Sequence, residues 1–213
     1  MILNVDILYD KIIATDKDEF IKQIIGKEFI YFNRRGKYLH FSFLNGDSLY
    51  VHLRMEGKFY IYESLENVDL KHIHIIFSLS SGKYLCYHDT RKFGRFYYVS
   101  NGSTLKEIEK LGYEPFDTNL NGNILFNMLQ SSNLDLKTFL LDQSKICGIG
   151  NIYANEICYA IKKHPLTSTK LITEIEANEL LEAIQLILQE AIEAGGTTIR
   201  SYTSSLGVSG LFP

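Results

Sequence analysis

The segment Leu140–Glu156, LLDQSKICGIGNIYANE, carries the most specific chemistry-bearing spacing in the chain. Gly148 and Gly150 can take positive φ at little cost, so successive backbone N–H groups can converge on one point. Asn151 follows as the expected N-cap of a helix, where free amides and the positive dipole end meet. An anion held there would be a phosphate. By itself the spacing also describes an ordinary tight helix–helix turn. Other blocks mix cations with apolar or aromatic side chains: Asn33-Arg34-Arg35-Gly36-Lys37, His52-Leu53-Arg54-Met55-Glu56-Gly57-Lys58, Lys71-His72-Ile73-His74 and His88-Asp89-Thr90-Arg91-Lys92-Phe93-Gly94. An aromatic at a loop tip, flanked by cations and followed by glycine, suits a wedge between stacked bases. Each block also has a plainer reading. Arg34 and Arg35 could be solvated turn charges, His52 a satisfied strand histidine, Met55 a core residue and Phe93 a buried turn anchor.

Composition permits the nucleic-acid reading without demanding it. The chain has 213 residues and a net charge of −3. The charge is segregated, however. Arg34, Arg35, Lys37, Arg54 and Lys58 face only Asp47 and Glu56 in one stretch, whereas Glu174 to Glu193 holds glutamates and no Lys or Arg. A positive face on an acidic chain is therefore possible. Hydrophobic residues make up 46% and charged residues 22%, as in a folded soluble protein. No apolar run approaches the roughly 18 residues needed to span a bilayer, and the N-terminus lacks the basic and apolar regions of a secretory signal. A cytoplasmic, nucleoid-associated location and no membrane partner are the expectation. Cys86, Cys147 and Cys158 are too scattered for a disulfide framework or a zinc site. His72 and His74 lack further ligands for a metal.

The elements that must position these residues change character along the chain. Alternating, β-branched and aromatic runs predict strands at 37–43, 48–53, 59–63, 73–79, 84–87 and 96–100, with turns at Asn45-Gly46 and Ser81-Gly82. One helix is expected from Asp16 to Ile25, ending at Gly26. After Gly102 the apolar spacing becomes helical at 105–111, 123–130, 137–143, 152–161 and 175–194, the last stopped by Gly195-Gly196. The reading is an α+β chain of two domains: an N-terminal β-sandwich over 1–105, then an all-α domain over 106–196. A loop-like tail follows at 197–213.

Taken together and in order, these blocks resemble the formamidopyrimidine-DNA glycosylase/endonuclease VIII family over nearly the whole chain. The block through Ile157 to His164-Pro165 is similar to that family's helix–two-turn–helix motif, whose Asn and turn amides grip the DNA backbone. The resemblance implies that Asn151, with Tyr153 and Lys137, binds DNA. It implies that Lys37 reaches the phosphate beside the lesion and acts as an acid in strand cleavage. His52 would contact phosphate, and His72 would lie near DNA. Met55 would fill the gap left by an extruded base, while Phe93 wedges into the duplex and Arg91 bonds the orphaned partner base. Gly195 to Tyr202 resembles the entry to a lesion-covering loop, which places Arg200 against the damaged base. The partner implied is double-stranded DNA containing an oxidised purine or an abasic site, bound by a monomer. The activity implied is base-excision repair: a DNA glycosylase/AP lyase excising 8-oxoguanine and formamidopyrimidines.

Two family features have no counterpart. The family nucleophile is an N-terminal proline followed by a glutamate, whereas the prolines here are Pro115, Pro165 and Pro213. Ile2 to Tyr9 matches a strand that in the family follows the first helix. The family's C-terminal four-cysteine zinc finger is also absent, so no cofactor is expected. A shortened product of an ordinary glycosylase gene is the favoured explanation, with a catalytically inactive binder of damaged or abasic DNA as the alternative. Loss of the first helix predicts uncovered apolar surface on the β-domain and marginal stability.

Overall fold

The computed structural model describes residues 1–196, which fall into two compact units, Met1–Leu105 and the described residues from Lys106 onward. Arg200 and the tail expected at 197–213 lie outside the described residues.

The first unit is built from β1 (Ile2–Ile7), α1 (Lys17–Ile24), β2 (Phe29–Arg35), β3 (Tyr38–Phe43), β4 (Ser48–His52), β5 (Lys58–Tyr62), β6 (Ile73–Leu79), β7 (Tyr84–His88) and β8 (Arg95–Val99). The strands form two antiparallel four-stranded sheets, ordered β1-β6-β7-β5 and β2-β3-β4-β8. Their inner faces bury Phe41, Phe43, Val51, Phe77, Tyr87 and Phe96 in one apolar core, the arrangement of a β-sandwich. Helix α1 starts where Asp16 accepts hydrogen bonds from the amides of Asp18 and Glu19, at 2.9 and 3.0 Å. It buries Phe20 and Ile24 and stops before Gly26, whose φ of +79° is left-handed.

The expected strands lie within about one residue of those observed, but β2 was not among them. Its interior residues are exposed throughout, so the period-2 alternation that signals a half-buried strand is missing. It is an edge strand, held by its pairing with β3. Apolar surface is uncovered here, at Ile30, Tyr31 and Phe32. Between this side of one sheet and the β5–β7 side of the other lies a groove of about 330 Å³, lined by Phe29, Phe32, Phe41, Phe59, Ile61 and Leu85.

One end of the sandwich is tied by Asp47, in the β3–β4 turn. Gly46 supplies the turn's positive φ of +86°. The Asp47 carboxylate accepts from Lys27 Nζ at 2.6 Å, the Asn101 amide at 2.8 Å, the Tyr98 hydroxyl and Asn45. Burial pushes its pKa up, but those hydrogen bonds, led by Lys27 and Tyr98, outweigh burial and hold it well below the ordinary carboxylate range.

The second unit contains α2 (Lys106–Glu109), α3 (Gly122–Gln130), α4 (Leu136–Leu141), α5 (Asn151–Ala160) and α6 (Glu174–Glu193). Their apolar stripes meet in a core that includes Leu125, Leu129, Phe139, Ile157, Leu180 and Ile184. The start of α6 is a capping box: Thr173 Oγ1 accepts from the Glu176 amide, and Glu176 accepts from the Thr173 amide. Its end is the expected glycine stop, with Gly195 and Gly196 at φ +71° and +102°. Among the described residues, no helix is long and apolar enough to cross a membrane.

Asp47→Ala is expected to cost about 2–4 kcal/mol, because it strands an ammonium, a hydroxyl and an amide that it now satisfies. Since the folded carboxyl titrates below the unfolded one, its contribution is complete above about pH 4 and is lost as pH falls through the folded value. Urea melts of both proteins at pH 7 test the first point; equal midpoints would contradict it.

Candidate nucleic-acid interface

At the end of the sandwich opposite Asp47, two loops close over one buried tyrosine. Residues 52–58 join β4 to β5, and residues 88–95 join β7 to β8. Tyr87 is fully buried, and its hydroxyl donates to Asp89 Oδ2 at 3.2 Å. A Cβ on Gly94 would stand 1.8 Å from that hydroxyl oxygen, and one on Gly57 would stand 2.4 Å away. Both glycines are therefore required for the loops to approach. Burial, then the Asp89 charge, push the Tyr87 hydroxyl above its ordinary pKa, so it stays a donor.

Asp89 shapes the second loop. Its Oδ1 accepts from the Arg91 amide at 3.0 Å, and Oδ2 accepts from the Phe93 and Gly94 amides at 2.9 Å each. Its own carbonyl bonds His74 Nε2 at 2.7 Å, and its amide donates to the His72 carbonyl at 2.9 Å. The loop so formed presents Phe93, 52% exposed, beside the 51%-exposed Met55 of the first loop. Arg91 links the pair: its Nη1 donates to Met55 Sδ at 2.9 Å, and its guanidinium lies 4.9 Å from the centre of the Phe93 ring. A hydrogen bond from Thr90 to Glu56 ties the loops again. Phe93 is thus not the buried anchor its plainer reading allowed.

The cations gather at the same end. Tyr38, His52 and Arg95 are register partners across β3, β4 and β8, and Lys37 immediately precedes Tyr38. His52 Nδ1 accepts the Arg54 amide at 3.0 Å, which leaves the ring proton on Nε2. Burial, Arg54 and Lys37 lower the His52 pKa to about 4, so the ring is neutral at pH 7. A neutral imidazole with Nε2–H is a donor suited to a phosphate oxygen. Burial, then Arg54, also lower the Lys37 pKa. His72 lies nearby in the same unit, its ring 5.5 Å from that of His88, whose Nδ1 is buried without a hydrogen-bond partner.

In the second unit, Gln143 splints the turn between α4 and α5. Its Oε1 accepts from the Gly148 amide at 2.9 Å, and its Nε2 donates to the carbonyls of Leu141 and Ile149 at 2.8 and 3.0 Å. Gly148 has φ +98°. Gly112 lies so close that a Cβ would meet the Lys145 carbonyl oxygen at 2.1 Å. One expectation needs correction here. Gly150, with extended backbone, is the N-cap of α5, and Asn151 is its first helical residue. With no capping side chain at Gly150, the first amides of α5 have no partner from the cap, and Asn151 is exposed beside them. Tyr153 is half-buried against the helical core, and Lys137 is half-buried in the first turn of α4.

The expected residues thus form one assembled group in the first unit (Lys37, His52, Met55, Arg91, Phe93, with His72 adjacent) and a second set in the helical unit. Tyr87 and Gly112 lie outside the blocks the sequence reading quoted, and Asp89, Gly57, Gly94 and Gln143 lie within them without being given a bracing role. Asp89 alone had a usable signal, an Asp placed to bond backbone amides within its own turn. Among the described residues no three His, Cys, Asp or Glu side chains could hold a metal, and Cys86, Cys147 and Cys158 are each buried and free.

Both halves of the chain match families of known proteins. Residues 1–96 match the formamidopyrimidine-DNA glycosylase N-terminal domain, and residues 111–203 match the formamidopyrimidine-DNA glycosylase H2TH domain. The formamidopyrimidine-DNA glycosylase of Ligilactobacillus salivarius is 39% identical over 99% of this chain and 77% of its own length. That of Ureaplasma parvum is 42% identical over 91% of this chain and 71% of its own. A Lactococcus lactis Fpg in complex with DNA containing an abasic site superposes with a TM-score of 0.90 at 32% identity, covering 98% of this chain and 77% of that one. The same organism's protein with FAPY-dG-containing DNA gives a TM-score of 0.87, also at 32% identity, over 95% and 77%. The fold is that of a two-part DNA repair protein, a β-sandwich followed by a helix–two-turn–helix domain. The chain belongs to the formamidopyrimidine-DNA glycosylase family.

Two measurements test this geometry. Gly94→Ala is expected to destabilise the protein by about 2–3 kcal/mol, since the new methyl overlaps the Tyr87 hydroxyl; an unshifted melting temperature would contradict the packing. In an NMR pH titration, the His52 ring should change charge near pH 4, and a midpoint close to 6.5 would show that the ring is solvated.

Proposed function

We propose that this protein acts in base-excision repair, engaging duplex DNA at an abasic or oxidised-purine nucleotide and processing it as a DNA glycosylase/AP lyase. The observation that carries the reading is the Met55–Arg91–Phe93 group, assembled on two braced loops at the cationic end of the sandwich. Extruding a nucleotide leaves a gap in the stack and an unpaired partner base, and unstacking costs a few kcal/mol. An apolar side chain that fills the gap and a wedge that stacks beside it offset that cost. Met55 and Phe93 are the exposed apolar side chains for these tasks, and the Arg91 guanidinium suits the orphaned base. Lys37, His52 and Arg54 suit the backbone phosphate beside the lesion. His72 adds a donor near the same end.

The helical unit contributes separately. The opening amides of α5, with exposed Asn151 and with Lys137 and Tyr153, suit a second stretch of phosphate backbone. Further support comes from the Lactococcus lactis relatives, whose complexes hold DNA containing an abasic site or FAPY-dG. Arg200 is proposed, on resemblance, to approach the damaged base.

The test is binding to a duplex carrying a tetrahydrofuran abasic analogue, compared with an undamaged duplex across a salt series. Tighter binding to the analogue is expected, by on the order of 10³-fold, the low end of the gap between specific and non-specific DNA binding. Asn151→Ala and Lys37→Ala should each weaken binding, and the lysine change should reduce the salt slope by about 0.9, one phosphate contact. Equal affinity for both duplexes, or two variants indistinguishable from the parent, would sink the reading. Release of 8-oxoguanine or formamidopyrimidine from labelled duplex tests the excision step.

A further inference from the structure

The turn that carries Phe93 holds one residue in a conformation its own type disfavours. Lys92 has φ +59°, the left-handed region, where a residue with a Cβ meets a steric cost. Asp89 does not account for this alone. Its carboxylate takes the amides of Arg91, Phe93 and Gly94, whereas the Lys92 amide makes a longer contact, 3.4 Å, with the Asp89 carbonyl. The anchor of Lys92 is its side chain. Although the residue is exposed, its ammonium stands 4.8 Å from the centre of the Tyr9 ring, within the range of a cation–π contact.

Tyr9 is well placed to receive that cation. It follows β1 and is half-buried against the sandwich core. Its ring lies 5.5 Å from that of His74, tilted by 55°. Its amide donates to the His74 carbonyl at 3.3 Å, an acceptor it shares with the Leu8 amide at 2.9 Å. His74 is itself buried, with Nε2 bonded to the Asp89 carbonyl at 2.7 Å. One ring therefore touches two supports of the turn: the cation of Lys92 and the histidine that holds Asp89. Two residues beyond Tyr9, the Lys11 carbonyl accepts a hydrogen bond from Arg95, where the turn enters β8. The segment after β1 thus grips the turn at Lys92 and again at Arg95.

We propose that Tyr9 is a positioning residue for the Phe93 wedge: seated on His74, its ring captures the Lys92 ammonium and so holds the turn in the conformation that directs Phe93 outward. The proposal rests on the reading of Phe93 as a wedge in lesion-containing DNA. Tyr9 acts through Lys92 and not on the nucleotide. Without the ring, Lys92 is free to leave the left-handed region, and every turn conformation that withdraws Phe93 lowers the fraction of protein ready for insertion. Apparent affinity falls with that fraction. Phosphate contacts made elsewhere on the surface are indifferent to it, so preference for the lesion is lost while general DNA binding stays. The face of the ring carries this role, and the Tyr9 hydroxyl does not.

The experiment measures affinity for the tetrahydrofuran duplex and for the undamaged duplex, and reads their ratio. Tyr9→Leu should lower that ratio about two- to fivefold, the worth of one exposed cation–π contact. Tyr9→Phe should keep the parent ratio, because the ring face remains. Lys92→Met, a change at an exposed residue that leaves the core intact, should lower the ratio as far as Tyr9→Leu does. Adding Tyr9→Leu to Lys92→Met should then cost nothing more, since the contact is already gone. Melting temperatures taken in parallel separate a lost contact from a lost fold, and if Tyr9→Leu is too unstable to assay, the Lys92→Met ratio decides. An unchanged ratio in Lys92→Met, a Tyr9→Phe ratio as low as that of Tyr9→Leu, or losses that add in the double variant each overturns the proposal and leaves the functional reading standing. Failure of the parent protein to prefer the tetrahydrofuran duplex overturns that reading, and the proposal with it.

Discussion

The carboxylate of Asp89 is buried beneath the Phe93 loop, where it accepts hydrogen bonds from three backbone amides and the Tyr87 hydroxyl. A buried carboxylate short of partners costs several kcal/mol, so a loop that satisfies this one has few alternatives. Satisfying Asp89 turns the backbone at Arg91 and Phe93, and that turn sends the aromatic ring outward rather than into the core. The tyrosine that completes the set needs space on both sides, which explains two glycines in two different loops. Met55 then finds Arg91 within reach. The exposed group therefore comes from a buried charge.

Much of this architecture was readable from residue order. The β-branched and aromatic run Ile73–Leu79 and the Asn45-Gly46 turn produced a strand and a hairpin where expected. The terminal glycines likewise marked the end of α6, whereas its capping box at Thr173 was not read from the sequence. Reading failed where long-range contacts decide. β2 has no buried face to generate alternation, and only its pairing with β3 makes it a strand. Asn151 looked like a cap because its side chain favours that position, yet the extended backbone fell on Gly150 and moved the helix start by one residue. Gln143 and Gly112 carry no local signature, because what each touches is set by the folding of the two-turn segment. The motifs brought out the residues that face outward; the residues that brace them had to be seen.

Electrostatics at the cationic end oppose the charges gathered there. Arg54 and Lys37 both oppose protonation of His52, and Arg54 opposes that of Lys37. Such like-charge clusters lower folding stability and are relieved when an anion arrives. A phosphodiester would supply that relief, so ligand binding and local stability are coupled through the same groups.

The two ends of the β-sandwich rest on separate aspartates, Asp47 at one and Asp89 at the other, with no shared hydrogen-bond partner between them. Changes at well-separated, unconnected sites tend to act additively. A change at one end therefore adds its cost to a change at the other without amplifying it, so each end of the scaffold can be weakened or strengthened independently.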